Sequence, residues 1–198
     1  MDRTLATEWA ANEVRQSAEV ILATTALADQ MVDIANACVQ ALRSGGRVFF
    51  CGNGGSAADS QHLAAELAGK QNFDRGPLSG IALTVDTSAL TAIGNDYGYE
   101  HVFSRQLRAL AHPGDVIIGL STSGSSKNVL RAFEAAKEIG VVTVAFTGAK
   151  ESEMGRIADF HFAAPSLFTP YIQQAHELAG HIICGLIERT MFTPPENA

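Results

Sequence analysis

A chain of 198 residues is long enough for one α/β unit with a sizeable core and too short for two full ones. Net charge is −7 with a pI near 5.3, and no run of Lys and Arg forms a basic stripe. That excludes nucleic acid as the main partner and leaves any anionic ligand to be held by local groups. Cys38, Cys51 and Cys184 each lie in an apolar stretch without metal-type spacing. With no signal-peptide pattern at the N-terminus and no apolar run of membrane-spanning length, a reduced, cytoplasmic setting is expected, with no membrane partner.

Residues 4–44 read as two helices. Leu5, Trp9, Val14, Ala18 and Ile21 recur at helical spacing, as do Met31, Ile34, Cys38 and Leu42, and Gly45-Gly46 ends the second. The pair can cap one face of a sheet or form a subunit interface, and the residues favour neither. Strands and helices then alternate through a core over 47–165. Strands are expected over Val48–Cys51, Gly80–Val85, Asp115–Leu120, Val141–Phe146 and Phe160–Ala163. Helices are expected over about Ser56–Ala68, Tyr99–Ala111 and Asn128–Ile139. A last helix over 169–192 takes Thr169 as N-cap and Pro170 as its first residue, and stops before Pro194-Pro195. Short apolar strands joined by helices imply a three-layer, doubly wound, five-stranded parallel sheet of flavodoxin-like type behind an N-terminal helical pair. One domain over 1–198 is expected, with ligands at the carboxyl ends of the strands.

The stretch Cys51-Gly-Asn-Gly-Gly-Ser-Ala-Ala-Asp-Ser-Gln-His62 follows the first strand and opens a helix, the usual setting of a bound phosphate. It lacks the Lys-Ser or Lys-Thr of a P-loop. Gly52, Gly54 and Ala57 formally match the dinucleotide fingerprint, but no acid stands at a strand end about twenty residues on: Asp74 lies in a polar loop and Asp86 is too far. A sugar or monophosphate site gains from a second loop, Ser121-Thr-Ser-Gly-Ser-Ser126, again at a strand end before a helix. Hydroxyls and backbone N–H groups there bind an anion without a basic residue.

His62 and Glu66 lie one turn apart on one helix face. That spacing alone describes many solvated pairs; its nearness to the glycine loop is what singles it out. Gln173 and His181 stand about 80° apart around the last helix, with Glu177 between and His176 on the other flank. Ile182 and Ile183 follow His181, so the residues alone equally describe a buried histidine bonded to a backbone carbonyl.

GNGGSAAD, AIGNDYGYE, the STSGSS loop and IQQAHELAGH together resemble the sugar isomerase (SIS) family, and within it the phosphoheptose isomerases. The resemblance spans nearly the whole chain. It implies an aldose–ketose isomerase of sedoheptulose 7-phosphate, supplying heptose phosphate for lipopolysaccharide or capsule. It also implies a homotetramer with active sites between subunits. It carries the role of base onto Glu66 and of acid onto His181, and zinc ligation onto His62, Glu66, Gln173 and His181. Two imidazoles, a carboxylate and an amide oxygen are a fairly hard zinc set. Whether Glu66 serves as base, as ligand or as both stays open, because a tightly bound carboxylate is a poorer base. Substrate contacts are carried onto Asn53, Gly54, Gly55, Glu66, Asn95, Asp96, Ser121, Thr122, Ser123, Ser126 and Gln173. The serine loop would take the phosphate, and the Asn and Asp side chains the sugar hydroxyls. Read alone, Asn95-Asp96 is a turn. Gln174 stands where family members usually carry Glu, Phe168-Thr169-Pro170 replace a common upstream acid, and Lys70 replaces a frequent Arg. These departures bear on the exact substrate, and another phosphosugar is a competing reading. A further alternative is the non-catalytic branch that associates with the replication initiator DnaA, which has no need of the four ligand residues together. A dinucleotide-dependent oxidoreductase is the weakest reading.

Overall fold

The computed structural model describes residues 1–193. The expected stop at Pro194-Pro195 lies outside the described residues. Five strands form the sheet: β1 (Val48–Gly52), β2 (Gly80–Ala82), β3 (Val116–Leu120), β4 (Val142–Gly148) and β5 (Phe160–Ala164). All neighbours are parallel, in the order β2-β1-β3-β4-β5. The helices are α1 (Arg3–Ala23), α2 (Ala28–Arg43), α3 (Gly55–Ala68), α4 (Thr87–Tyr97), α5 (Val102–Leu110), α6 (Lys127–Ile139), α7 (Glu153–Ile157) and α8 (Thr169–Met191).

The strands are apolar throughout because both sheet faces are covered. Alternation divides the core in two. Val48, Phe50, Val116 and Ile118 face a layer containing Ile34, Cys38, Leu63, Leu67 and Ile183 of α2, α3 and α8. Phe49, Cys51 and Ile117 face Phe103, Leu107, Val129 and Phe133 of α5 and α6. The three-layer α/β architecture read from the sequence is the one observed. Strand order reverses between β1 and β3, which pair from Val48↔Val116 to Gly52↔Leu120. Their carboxyl ends open the crevice where such sheets hold ligands.

Four local expectations are corrected. The second strand stops at Ala82 instead of Val85. After Leu83 N donates to Phe50 O at 2.9 Å, the chain turns into α4, whose N-cap Asp86 accepts from Ala89 N at 2.9 Å. α4 itself was not expected, since Thr91, Ile93 and Gly94 weaken its helical signal. Asn95 and Asp96 thus occupy a last helical turn instead of a free one. The helix expected from Tyr99 begins as a 3₁₀ turn over Tyr99–His101, and α8 has Phe168 as N-cap with Pro170 inside its first turn. The N-terminal pair divides. α2 buries Met31, Ile34, Cys38 and Leu42 on the sheet, whereas no residue of α1 is buried; α1 lies against α8, with Val20 and Ile21 half-buried on the same core.

Candidate active site

The glycine loop and the serine loop leave β1 and β3 side by side. Asn53 ties them together: its Nδ2 donates to Asn128 Oδ1 at 2.9 Å, and its Oδ1 accepts from Asn128 Nδ2 at 2.8 Å and from Tyr99 Oη at 3.1 Å. Asn128 is buried in the first turn of α6. Its partnership leaves Asn53 one N–H for a ligand. Gly54 starts α3 at φ +58°, and the Gln173 amide lies so close over Gly55 that a Cβ there would overlap it. The glycines therefore admit a side chain from α8 to the loop.

In the serine loop, Ser121 Oγ lies 2.7 Å from Ser126 Oγ and 3.4 Å from Ser123 Oγ, which accepts from Ser125 Oγ at 3.0 Å. Ser126 is the N-cap of α6, yet its hydroxyl is not spent on capping. Four hydroxyls thus converge ahead of a helix N-terminus, the arrangement of an anion site. Thr122 and Ser123 line a cleft of about 530 Å³ with Lys150 and Arg156, cations the sequence reading overlooked. A second cleft of about 680 Å³ is lined by Asn53, Tyr97, Tyr99, Ser126 and Asn128. Asn95 and Asp96 line neither; both are exposed, and Asn95 Nδ2 donates to Asp96 Oδ1 at 2.7 Å.

The titratable groups meet between α3 and α8. His62 Nε2 stands 2.9 Å from His181 Nε2, 3.3 Å from Glu66 Oε1 and 3.3 Å from Glu177 Oε1, and Glu177 Oε1 is 3.8 Å from His181 Nε2. His62, Glu66 and His181 each present a ligand atom within 4.8 Å of the others. Donors bound at roughly 2.0–2.1 Å around a tetrahedral zinc stand about 3.3 Å from one another, so these three residues fit a small cation. Glu177 brings a further carboxylate oxygen to the two imidazoles, and among the described residues its Oε2 and Asp59 Oδ2 are buried without a hydrogen-bond partner. Burial raises the Asp59 carboxyl to about 6; Glu177 pushes the same way and His62 opposes it.

Glu177 and Asp59 were not among the expected site residues, although their offsets from His181 and His62 put them on the ligand-bearing faces. The buried, carbonyl-bonded histidine that His181 might have been is instead His176, whose Nε2 lies 3.0 Å from Thr147 O. Gln174 turns away from the cluster and bonds Ser17 of α1. Phe168 packs on Tyr171, ring centroids 5.0 Å apart, and Lys70 is exposed beyond the end of α3.

Residues 11–148 match the SIS domain family model. The chain is 49% identical to a phosphoheptose isomerase of Akkermansia muciniphila, over 93% of its own length and 98% of the relative's. It is 54% identical to that of Rhodospirillum rubrum, over 81% and 86%. The structure of a phosphoheptose isomerase from Neisseria gonorrhoeae superposes with a TM-score of 0.87 at 41% identity, covering 92% of this chain and 98% of that one. Over nearly its whole length the chain shares sequence and fold with these proteins, and it belongs to the phosphoheptose isomerases of the SIS family.

Proposed function

We propose that the chain is an aldose–ketose isomerase converting sedoheptulose 7-phosphate to D-glycero-D-manno-heptose 7-phosphate through an enediol. The observation that carries the site assignment is the meeting of His62 and Glu66 from α3 with His181 from α8 at one point, on the helix that the glycine loop opens. Isomerisation needs a base at C–H, an acid at the carbonyl oxygen and an anchor for the remote phosphate. Glu66 takes a proton from C1 of the ketose while His181 donates one to the C2 oxygen, giving the enediol. Return of the Glu66 proton to C2 and transfer of the O1 proton to His181 complete the aldose and restore both groups. Ser121, Thr122, Ser123 and Ser126 hold the phosphate, with Lys150 adding charge beside them. Asn53, the backbone of Gly54 and Gly55, and Gln173 hold the sugar hydroxyls. Asn95 and Asp96 reach a substrate only if a second subunit brings its own cleft to them.

His62, Glu66, Gln173 and His181 would hold zinc, and Glu177 gives this chain a further carboxylate at the same point. Bound zinc would polarise the sugar oxygens. The exposed Leu5, Trp9, Val14 and Leu22 of α1 support self-association, as in the homotetramer that the resemblance implies, and the product suits heptose supply for surface polysaccharide in the cytoplasm.

The test is turnover of sedoheptulose 7-phosphate by the purified protein with and without added zinc. Glu66→Gln and His181→Ala should each lower kcat by about 10² or more while the fold is kept. A wild-type protein that leaves the sugar unchanged and binds DnaA tightly would overturn the reading, and turnover confined to another phosphosugar would correct the substrate.

A further inference from the structure

The segment that links α3 to β2 carries buried polar side chains that the proposed reaction does not use. The Arg75 guanidinium has an exposure of only 2% and the Glu188 carboxylate of 0%, with Arg75 Nε donating to Glu188 Oε1 at 3.1 Å. Glu188 also accepts from Gln71 N at 3.0 Å, Asn72 N at 2.8 Å and Asn72 Nδ2 at 2.9 Å. It lies seven residues beyond His181, two turns along the same side of α8. Arg75 further donates to Leu67 O at 2.7 Å, Gly69 O at 2.9 Å and Gly76 O at 3.0 Å. These include carbonyls that the end of α3 leaves without helical partners.

Two contacts relate this network to the chemistry. Arg75 Nη2 donates to Glu66 O at 2.7 Å, and Gln71 Nε2 donates to His181 O at 3.0 Å. Gln71 Oε1 is itself buried and unpartnered, so the amide stands there for its N–H alone. The network therefore grips the backbone of the two residues whose side chains must face each other. A bridge between helices that served only stability would do as well with apolar residues; capping the end of α3 accounts for the bond to Glu66 O, but the bond from Gln71 to His181 O lies inside α8, where no cap is needed.

We propose that Arg75, Glu188 and Gln71 are positioning residues: they clamp the backbones of Glu66 and His181 and so set the separation of the proposed base and acid. The kinetic arm of the test rests on the isomerase reading; the metal-binding arm does not. The double variant Arg75→Met/Glu188→Leu removes both buried charges together, and Gln71→Leu removes one hydrogen bond without stranding a charge. For each, thermal unfolding, kcat, KM and the Zn²⁺ dissociation constant (by competition with a chelator) are measured. The double variant also strands the donors of Gln71 and Asn72 and the carbonyls that Arg75 caps, so it should melt below wild type; where it stays folded at the assay temperature it should keep KM within about threefold and lose about tenfold or more in both kcat and Zn²⁺ affinity. Gln71→Leu should lose less in the same two readouts. A folded double variant with kcat and Zn²⁺ affinity both within about twofold of wild type overturns the clamp. If the double variant does not fold, Gln71→Leu decides by the same criterion. Wild-type protein that binds Zn²⁺ more tightly than the variants yet turns over no phosphosugar would sink the isomerase reading and leave the clamp standing.

Discussion

His176 and His181 lie five residues apart on one helix and have opposite fates. His181 is 37% exposed and meets His62. His176 is fully buried, its ring centroid 5.5 Å from Phe146 and 6.2 Å from Phe162. Desolvation lowers its pKa to about 4, and the bond to the Thr147 carbonyl only partly opposes that. The unfolded chain, with an ordinary histidine near 6.5, binds this proton first as pH falls. Stability therefore drops between pH 6.5 and about 4, and this one group contributes a loss of up to about 3 kcal/mol at roughly 1.4 kcal/mol per unit. Urea unfolding at pH 7 and 4.5 checks this. His176→Gln should be less stable at pH 7 and should have lost that share of the acid dependence. An unchanged pH slope would show that the ring is protonated in the fold.

At the scale of elements, α4 shows how a cap can outweigh propensity. Its sequence, TSALTAIGNDY, holds a glycine and several β-branched residues, and none of its residues is buried. Asp86 supplies the start by accepting from Ala89 N. Asp86→Ala should cost about 1 kcal/mol, a fall in melting temperature of about 2–4 °C at this chain length, readable by differential scanning calorimetry. The same residue explains why the second strand was expected to run three residues too far: Leu83 to Val85 looks like strand, and only the cap three residues downstream redirects it. α3 shows the opposite balance. Its start after Gly54 and its His62–Glu66 face were legible because loop and spacing are local features. Its packing against α8 was not, because the residues that tie it there, Arg75 and Glu188, are 113 positions apart.

The whole molecule leaves one element short of partners. α1 exposes Leu5 at 59%, Trp9 at 60%, Val14 at 69% and Leu22 at 72%, and is held to α8 by polar contacts, with Tyr171 Oη donating to Glu13 Oε2 at 2.7 Å. Four exposed large apolar side chains on one helix without a buried residue make α1 a candidate association surface. Trp9→Glu should shift the protein to smaller species in sedimentation velocity while its far-UV circular dichroism is kept. Unchanged assembly would place the subunit contacts elsewhere. The proposed contribution of Asn95 and Asp96 depends on the same assembly, because within one chain they line neither cleft.

The sequence by itself determined the layered parallel sheet, the two polar loops at neighbouring strand ends, and the candidate residues His62, Glu66, Gln173 and His181. The sheet, the loops and the His62–Glu66 pair rest on short-range pattern: strand-length apolar runs, glycine and serine clusters, and a one-turn helical spacing; Gln173 and His181, eight residues apart, were singled out by the resemblance of their helix to the family. Tertiary structure alone decided which groups complete the site. Glu177 joins the imidazoles because α3 and α8 pack on the same face of the sheet, and Asn128 holds Asn53 because β1 and β3 are neighbours in it. It also decided that His176 is core and that His181 meets His62, a choice set by which side of α8 faces β4 and which faces α3. Burial and packing between distant segments are properties of the folded chain, so no local spacing could have specified them.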